Sequence, residues 1–156
     1  MWQAMRMATK HSFRARLLWT KGGQGVTSGN HRVEFAGREP VEVSAAPQYR
    51  GDPTKVNPEE LFLASLASCQ MLTYLALATR AGIDVLAYED DAEAALALAE
   101  RRMRVTEVVL RPRITVGAAT DEAKARALVE SAHDGCFIAN SVACDVRVEA
   151  EILHGS

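Results

Sequence analysis

The stretch that decides the fold is NPEELFLASLASCQ, Asn57–Gln70. Asn57 is a favourable N-cap, and Pro58 suits a first helical position. Glu59 and Glu60 oppose the positive end of the helix dipole. The apolar run continues past Met71 and Leu72 until Gly82, which predicts one helix over Pro58–Ala81. Leu61, Phe62, Leu63, Leu66, Met71, Leu72, Leu75 and Leu77 leave no wide polar face. Such a helix must be buried on most sides. A single chain of 156 residues can hardly surround it, so a subunit interface is expected. In the middle of this helix sits a thiol, Cys69.

Outward from the helix, the preceding segment APQYRGDPTKVNP reads as a loop, long enough to be functional. Before it, Phe13, Ala15, Leu17 and Trp19 alternate with mostly polar residues. So do Val33 and Phe35, and EPVEVSA follows as a partner strand. GGQG, Gly22–Gly25, reads as a hairpin turn rather than a phosphate loop, since no helix start follows it. After the helix, VLAYEDDAEAALALAERRM has helix-favouring composition but lies between a helix and a clear strand. Val108, Leu110, Pro112, Ile114 and Val116 alternate with largely polar residues, and the proline predicts an edge or bulge. Thr120 or Asp121 caps a second helix through about Asp134. A last strand carries Cys144, Val146, Val148, Ala150 and Ile152 on one face. The order is an α+β pattern with a largely antiparallel sheet, read as a single domain over residues 1–156 with residues 1–10 as a flexible N-terminal extension.

Composition bounds the function. The formal charge of -2 favours neither nucleic acid nor an anionic membrane as partner. The first residues lack an apolar run of signal-peptide length, and no stretch reads as a bilayer span, being broken by Ser65, Ser68, Cys69, Gln70 and Thr73. The expectation is a soluble cytoplasmic protein without membrane contact. Three cysteines in such a chain do not form a disulfide scaffold. His11, His31, His133 and His154 show no metal spacing, and a zinc site or a Cys–His hydrolase built on His133 and Cys136 has no motif behind it.

Each thiol has a packing reading and a chemical one. Cys144 sits by parity on an apolar strand face, where a small hydrophobe belongs. Cys136, just past a helix C-terminus, is next to a negative dipole end, which suits a resolving thiol better than an attacking one. Cys69 gains little from its helix dipole, so reactivity there needs a nearby cation.

YRGDPTKVNPEELFLASLASC followed by AHDGCFIANSV, with Cys69 and Cys136 67 residues apart, resembles the OsmC/Ohr family of thiol peroxidases over most of the chain. The resemblance implies an α+β fold in which antiparallel sheets surround two central helices of an intertwined homodimer, and so favours strand for the ambiguous segment after Val85. It implies reduction of organic hydroperoxides, and more weakly of hydrogen peroxide, without cofactor or metal, and recycling by an external dithiol of lipoyl or small-thiol type. It assigns Cys69 as peroxidatic cysteine, Cys136 as resolving cysteine, with a disulfide between them, and Glu59 as the active-site glutamate. The family's arginine occupies one of two places. Here the first holds Gln24 and the second Arg50, which is therefore assigned. Two departures stand out: one residue fewer separates Arg50 from the glutamate, and Phe137 follows Cys136 where many members have proline. Ten residues of helix rise about 15 Å, so Glu59 cannot serve the Cys69 of its own helix. A composite site is expected, with Cys69 and Cys136 from one chain and Arg50 and Glu59 from the other. Alternatives are a redox sensor or ligand-binding module on the same fold, and a purely structural dimer.

Overall fold

The computed structural model describes residues 9–21 and 29–156. The GGQG turn with Gln24, and most of the expected N-terminal extension, lie outside the described residues. The chain forms two compact units, residues 1–58 and 59–156.

In the first unit, β1 (Arg16–Leu18), β2 (His31–Glu34) and β3 (Val41–Val43) form an antiparallel sheet with Leu17 opposite Val33 and Val33 opposite Val41. The strand expected from Phe13 to Trp19 is thus shorter. Only its middle finds a ladder, and Phe13, Leu17 and Trp19 are all exposed. The loop before the main helix is tied to this sheet. Val56 bridges to Val43, and Ser44 Oγ accepts the Asp52 amide at 2.9 Å. Asp52 in turn accepts both the amide and the hydroxyl of Thr54, which hold its carboxyl down to about 2. Within the loop, a 3₁₀ turn at Pro47–Tyr49 ends on Arg50, whose φ of 63° is left-handed.

The second unit begins one residue into α1 (Pro58–Ala81), which has the bounds that its cap, proline and terminal glycine predict. Gly82, at φ 70°, lets the chain turn back so that the Ile83 amide donates to Ala78 O at 2.9 Å. One stripe of the helix is fully buried: Leu66, Gln70, Tyr74 and Ala78. This falls short of burial on most sides, because Leu61 and Leu72 face solvent in the single chain. Gln70 Nε2 and Tyr74 Oη donate to Val129 and Ala125 carbonyls of α2 (Glu122–Asp134) at 3.1 and 3.2 Å. Asp121 caps α2 as expected, accepting the Ala123 amide at 2.9 Å.

Six further strands complete the second unit, the first two in the segment where the family resemblance implies strand. β4 (Val85–Asp90) and β5 (Glu93–Ala99) are strands despite the helix-favouring composition. The single strands expected around Pro112 and from Cys144 to Ile152 each break in two: β6 (Arg102–Leu110) and β7 (Pro112–Val116), then β8 (Asp145–Val148) and β9 (Glu151–His154). One sheet runs β4-β7-β9 and the other β5-β6-β8. β4 with β7 and β5 with β6 pair antiparallel, but β6 with β8 and β7 with β9 pair parallel, so the largely antiparallel expectation becomes two mixed sheets. The breaks face each other: Arg111 Nε lies 3.5 Å from Glu149 Oε2, and the Glu149 amide donates to Leu110 O at 2.8 Å. Pro112 starts β7, where no ladder donor is lost. The architecture is α+β, as expected.

The sequence also predicts no bilayer-length segment. By length and composition α1 is one, at 24 residues and a mean hydropathy of 1.7. Its serines, Thr73 and Gln70 interrupt the run without lowering the average enough. Its buried stripe is nevertheless committed to α2, with a glutamine and a tyrosine hydroxyl bonded across the interface.

Candidate active site

Cys69 sits mid-way along α1, half-buried, on the wall of an open cleft of about 730 Å³. Leu72, Ala76 and Leu77 of the same helix line it, with Ser65, Ser68 and Thr73. Gly135, Phe137 and Ile138 close it from the segment after α2, together with Ser131. Arg80 lines the cleft as well. It lies three helical turns beyond Cys69 on the same face, a spacing legible in the sequence as Cys69, Leu72, Ala76, Arg80 but not singled out there.

Cys136 is fully buried, and its thiol is within hydrogen-bonding reach of Cys69. The two expected thiols therefore meet, 67 residues apart in sequence. Their surroundings divide them. Burial pushes Cys69 up, but hydrogen bonds from the Ile138 amide, the Cys136 thiol, the Phe137 amide and the Thr73 hydroxyl outweigh it and hold Cys69 below the ordinary thiol value. The Thr73 contribution is the weakest, since that hydroxyl already donates to Cys69 O at 2.8 Å. Burial and the bond to Cys69 push Cys136 up, only partly offset by the Ala139 amide, which donates to Cys136 Sγ at 3.4 Å. The expectation that Cys69 must look to a cation misses these main-chain donors, which no side-chain motif reveals.

Glu59 opens α1, ten residues before Cys69 on an unbroken helix and thus about 15 Å away along its axis. Its Oε2 is buried and meets no hydrogen-bond donor among the described residues. Arg50 belongs to the first unit, at the end of the 3₁₀ turn. Cys144 precedes β8 and packs on the cluster of Leu66, Val108 and Leu110. His133 Nδ1 is buried without a partner among the described residues, and no three His, Cys, Asp or Glu side chains gather there as a metal site.

An α+β chain that brings an acidified cysteine and a protonated one together beside an apolar cleft defines a two-thiol protein. Residues 51–151 match the family of OsmC-like proteins, a span that includes Glu59, Cys69 and Cys136 and begins one residue after Arg50. The chain belongs to this family. The sequence matches no curated protein. Among solved structures, an OsmC-like protein of unknown function from Vibrio cholerae is 30% identical, with a TM-score of 0.84 over 91% of this chain and 100% of the other. An organic hydroperoxide resistance protein from Elizabethkingia anophelis shares the fold at 22% identity and TM-score 0.71, covering 96% of this chain and 100% of the other. Another from Legionella pneumophila does so at 20% identity and TM-score 0.67, covering 93% and 98%.

Proposed function

We propose that this protein is a cytoplasmic, thiol-dependent peroxidase that reduces organic hydroperoxides. The observation that carries the reading is the pair at the cleft: Cys69 held toward its thiolate, and Cys136 beside it with its proton retained. Names of proteins with the same fold, organic hydroperoxide resistance proteins among them, agree with it.

The chemistry follows from the pair. The Cys69 thiolate attacks the outer oxygen of a hydroperoxide, and the O–O bond breaks. The alkoxide leaves and takes a proton to become an alcohol, while Cys69 becomes a sulfenic acid. Cys136 then attacks the Cys69 sulfur, water leaves, and a disulfide forms. An external dithiol reduces it in two thiol exchanges and is itself oxidised to a disulfide. The apolar walls at Leu72, Ala76, Leu77 and Ile138 favour an alkyl group over the hydrogen of hydrogen peroxide. The reading includes a homodimer, supported by the solvent-facing Leu72 on α1 and by the exposed cross-strand pair Leu98 and Met103 on β5 and β6. In the dimer, Arg50 and Glu59 of the partner subunit complete the site. The guanidinium offsets thiolate charge and polarises the peroxide, and the carboxylate holds the guanidinium by a forked pair of bonds.

Consumption of cumene hydroperoxide and of hydrogen peroxide, with a dithiol as reductant, tests the proposal. Turnover with preference for the organic peroxide, abolished in a folded Cys69→Ser variant, is expected. Full activity in that variant overturns the peroxidase reading. Stoichiometric oxidation to a disulfide without turnover would replace it with a redox-sensing role for the same two thiols.

A further inference from the structure

We propose that Ser44 is a positioning residue for Arg50: its buried hydroxyl locks the loop between β3 and α1, so that the loop presents the Arg50 guanidinium in one place. The inference rests on the role proposed above for Arg50, and its test separates the two.

The loop is tied down on both sides of Arg50. Before it, the Tyr49 amide donates to Ala46 O at 2.8 Å, and the Arg50 amide itself donates to Pro47 O at 3.0 Å. After it, the Gly51 amide donates to Ala46 O at 3.2 Å and the Asp52 amide to Ser44 Oγ at 2.9 Å. Of these four anchors only the last uses a side chain. Ser44 is fully buried just past β3, and its own amide is held by Val56 O at 3.0 Å. An apolar residue there would leave the Asp52 amide without its acceptor. Gly51 lets the chain pass close by, since a Cβ at that position would collide with Ala45 O. Between these anchors Arg50 is held at its left-handed φ of 63°. Its side chain is exposed and makes no ion pair or hydrogen bond among the described residues. The nearest acid in sequence, Asp52, is already engaged: its carboxylate accepts from the Thr54 amide and hydroxyl and pairs with Lys55 at 3.3 Å. The guanidinium therefore stays available to the thiolate and to Glu59. A cation carried on a fixed backbone loses less freedom on reaching its target than one carried on a loose loop.

The test is the pH dependence of Cys69 alkylation by iodoacetamide, followed by mass spectrometry of the Cys69 peptide in the full-length protein. Arg50→Met gives the full effect of losing the cation. Ser44→Ala should move the midpoint the same way but less far, by roughly half a pH unit, which slows alkylation at neutral pH about threefold. Added to Arg50→Met, the same substitution should change nothing further. Val33→Ala hollows a buried position of the same sheet outside the loop, so it should lower thermal stability and hold the midpoint. Ser44→Cys, close in size but a weaker acceptor, should shift the midpoint upward by less, and it decides alone if Ser44→Ala does not fold. A folded Ser44→Ala protein with the wild-type midpoint overturns the proposal. So does an equal shift with and without Arg50, or a shift of the same size in Val33→Ala. If Arg50→Met itself leaves the midpoint in place, the role of Arg50 falls and the positioning role with it, while wild-type peroxide turnover is untouched. A chain without turnover would still show these shifts, so failure here and failure of the peroxidase reading are distinguishable.

Discussion

Cys69 and Cys136 shift each other's acidity in opposite directions: the Cys136 thiol, as donor toward Cys69, lowers Cys69 and is itself raised. Burial raises Cys136, and the bond to Cys69 raises it further, because its proton is in use. At Cys69, burial is overcome by the amides of Ile138 and Phe137 and by that same thiol proton.

The first prediction follows from this order. As pH rises, Cys69 should be alkylated first, below the ordinary thiol value, and Cys136 only above it. Peptide-resolved alkylation profiles check this, and simultaneous labelling at one midpoint would contradict it. The sign for stability is set by the same shifts. Cys69, lowered on folding, contributes stability above its unfolded value that is lost as pH falls through its folded value. Cys136, raised on folding, contributes stability below its unfolded value that is lost as pH rises through its folded value.

Cys144 should behave as a packing residue. Its side chain meets the cluster of Leu66, Val108 and Leu110, with Val142 and Val146 alongside. Cys144→Ala should lower stability by about 1 kcal/mol, since the atom removed is small and the site only partly buried. The Cys69–Cys136 disulfide should still form on peroxide treatment. Its loss would mean that Cys144 is the resolving thiol.

The turn between β5 and β6 offers a stabilising substitution. Ala99 pairs with Arg102, leaving Glu100 and Arg101 as a two-residue loop with φ of 50° and 65°. Both signs are those of a type I′ turn, which prefers Asn-Gly. Glu100→Asn with Arg101→Gly should raise stability by about 1 kcal/mol, because neither new residue resists positive φ as strongly. Thermal unfolding checks the direction, and a lower midpoint would count against it.

This turn also shows where local sequence fails. Glu100 and Arg101 carry no turn signature, and EAALALA before them favours helix, yet pairing along the whole of β6 decides for strand. By contrast, α1 and α2 announce themselves through Asn57, Pro58, Gly82 and Asp121, whose effects are local. The breaks at Arg111 and Glu149–Ala150 were invisible because alternation continues through them. Period two reports which face is inside, not which sheet the strand joins. The same division holds for the candidate site. Cys69, Cys136 and Glu59 were legible as side chains in a motif, whereas the Phe137 and Ile138 donors belong to the main chain and have no sequence letter. Arg80 does not stand out in the sequence, because an exposed arginine near a helix end is ordinary.

The composite site makes the last prediction. Glu59 is too far along its own helix to serve Cys69, and its buried Oε2 meets no donor among the described residues. Arg50 ends a 3₁₀ turn at φ 63°, a conformation that costs a side-chain-bearing residue energy and is kept where surroundings or function hold it. If Arg50 of the partner subunit offsets the Cys69 charge, Arg50→Met should shift the Cys69 alkylation midpoint upward and reduce peroxidase activity at neutral pH, with partial recovery as pH rises. The amide donors remain in that variant, so activity should fall without vanishing. Cys69→Ser, which lacks the nucleophile, should be inactive at every pH. Mixing the two variants separates the arrangements. With a shared site, each Cys69→Ser/Arg50→Met heterodimer holds one wild-type site and one doubly defective site, so activity should rise toward half the wild-type value per heterodimer. With a site built by one chain, every site in the mixture remains defective and activity is only the average of the two parents. Absence of any gain after subunit exchange, verified by mass spectrometry of the intact dimer, would remove the composite site while leaving the Cys69–Cys136 chemistry intact.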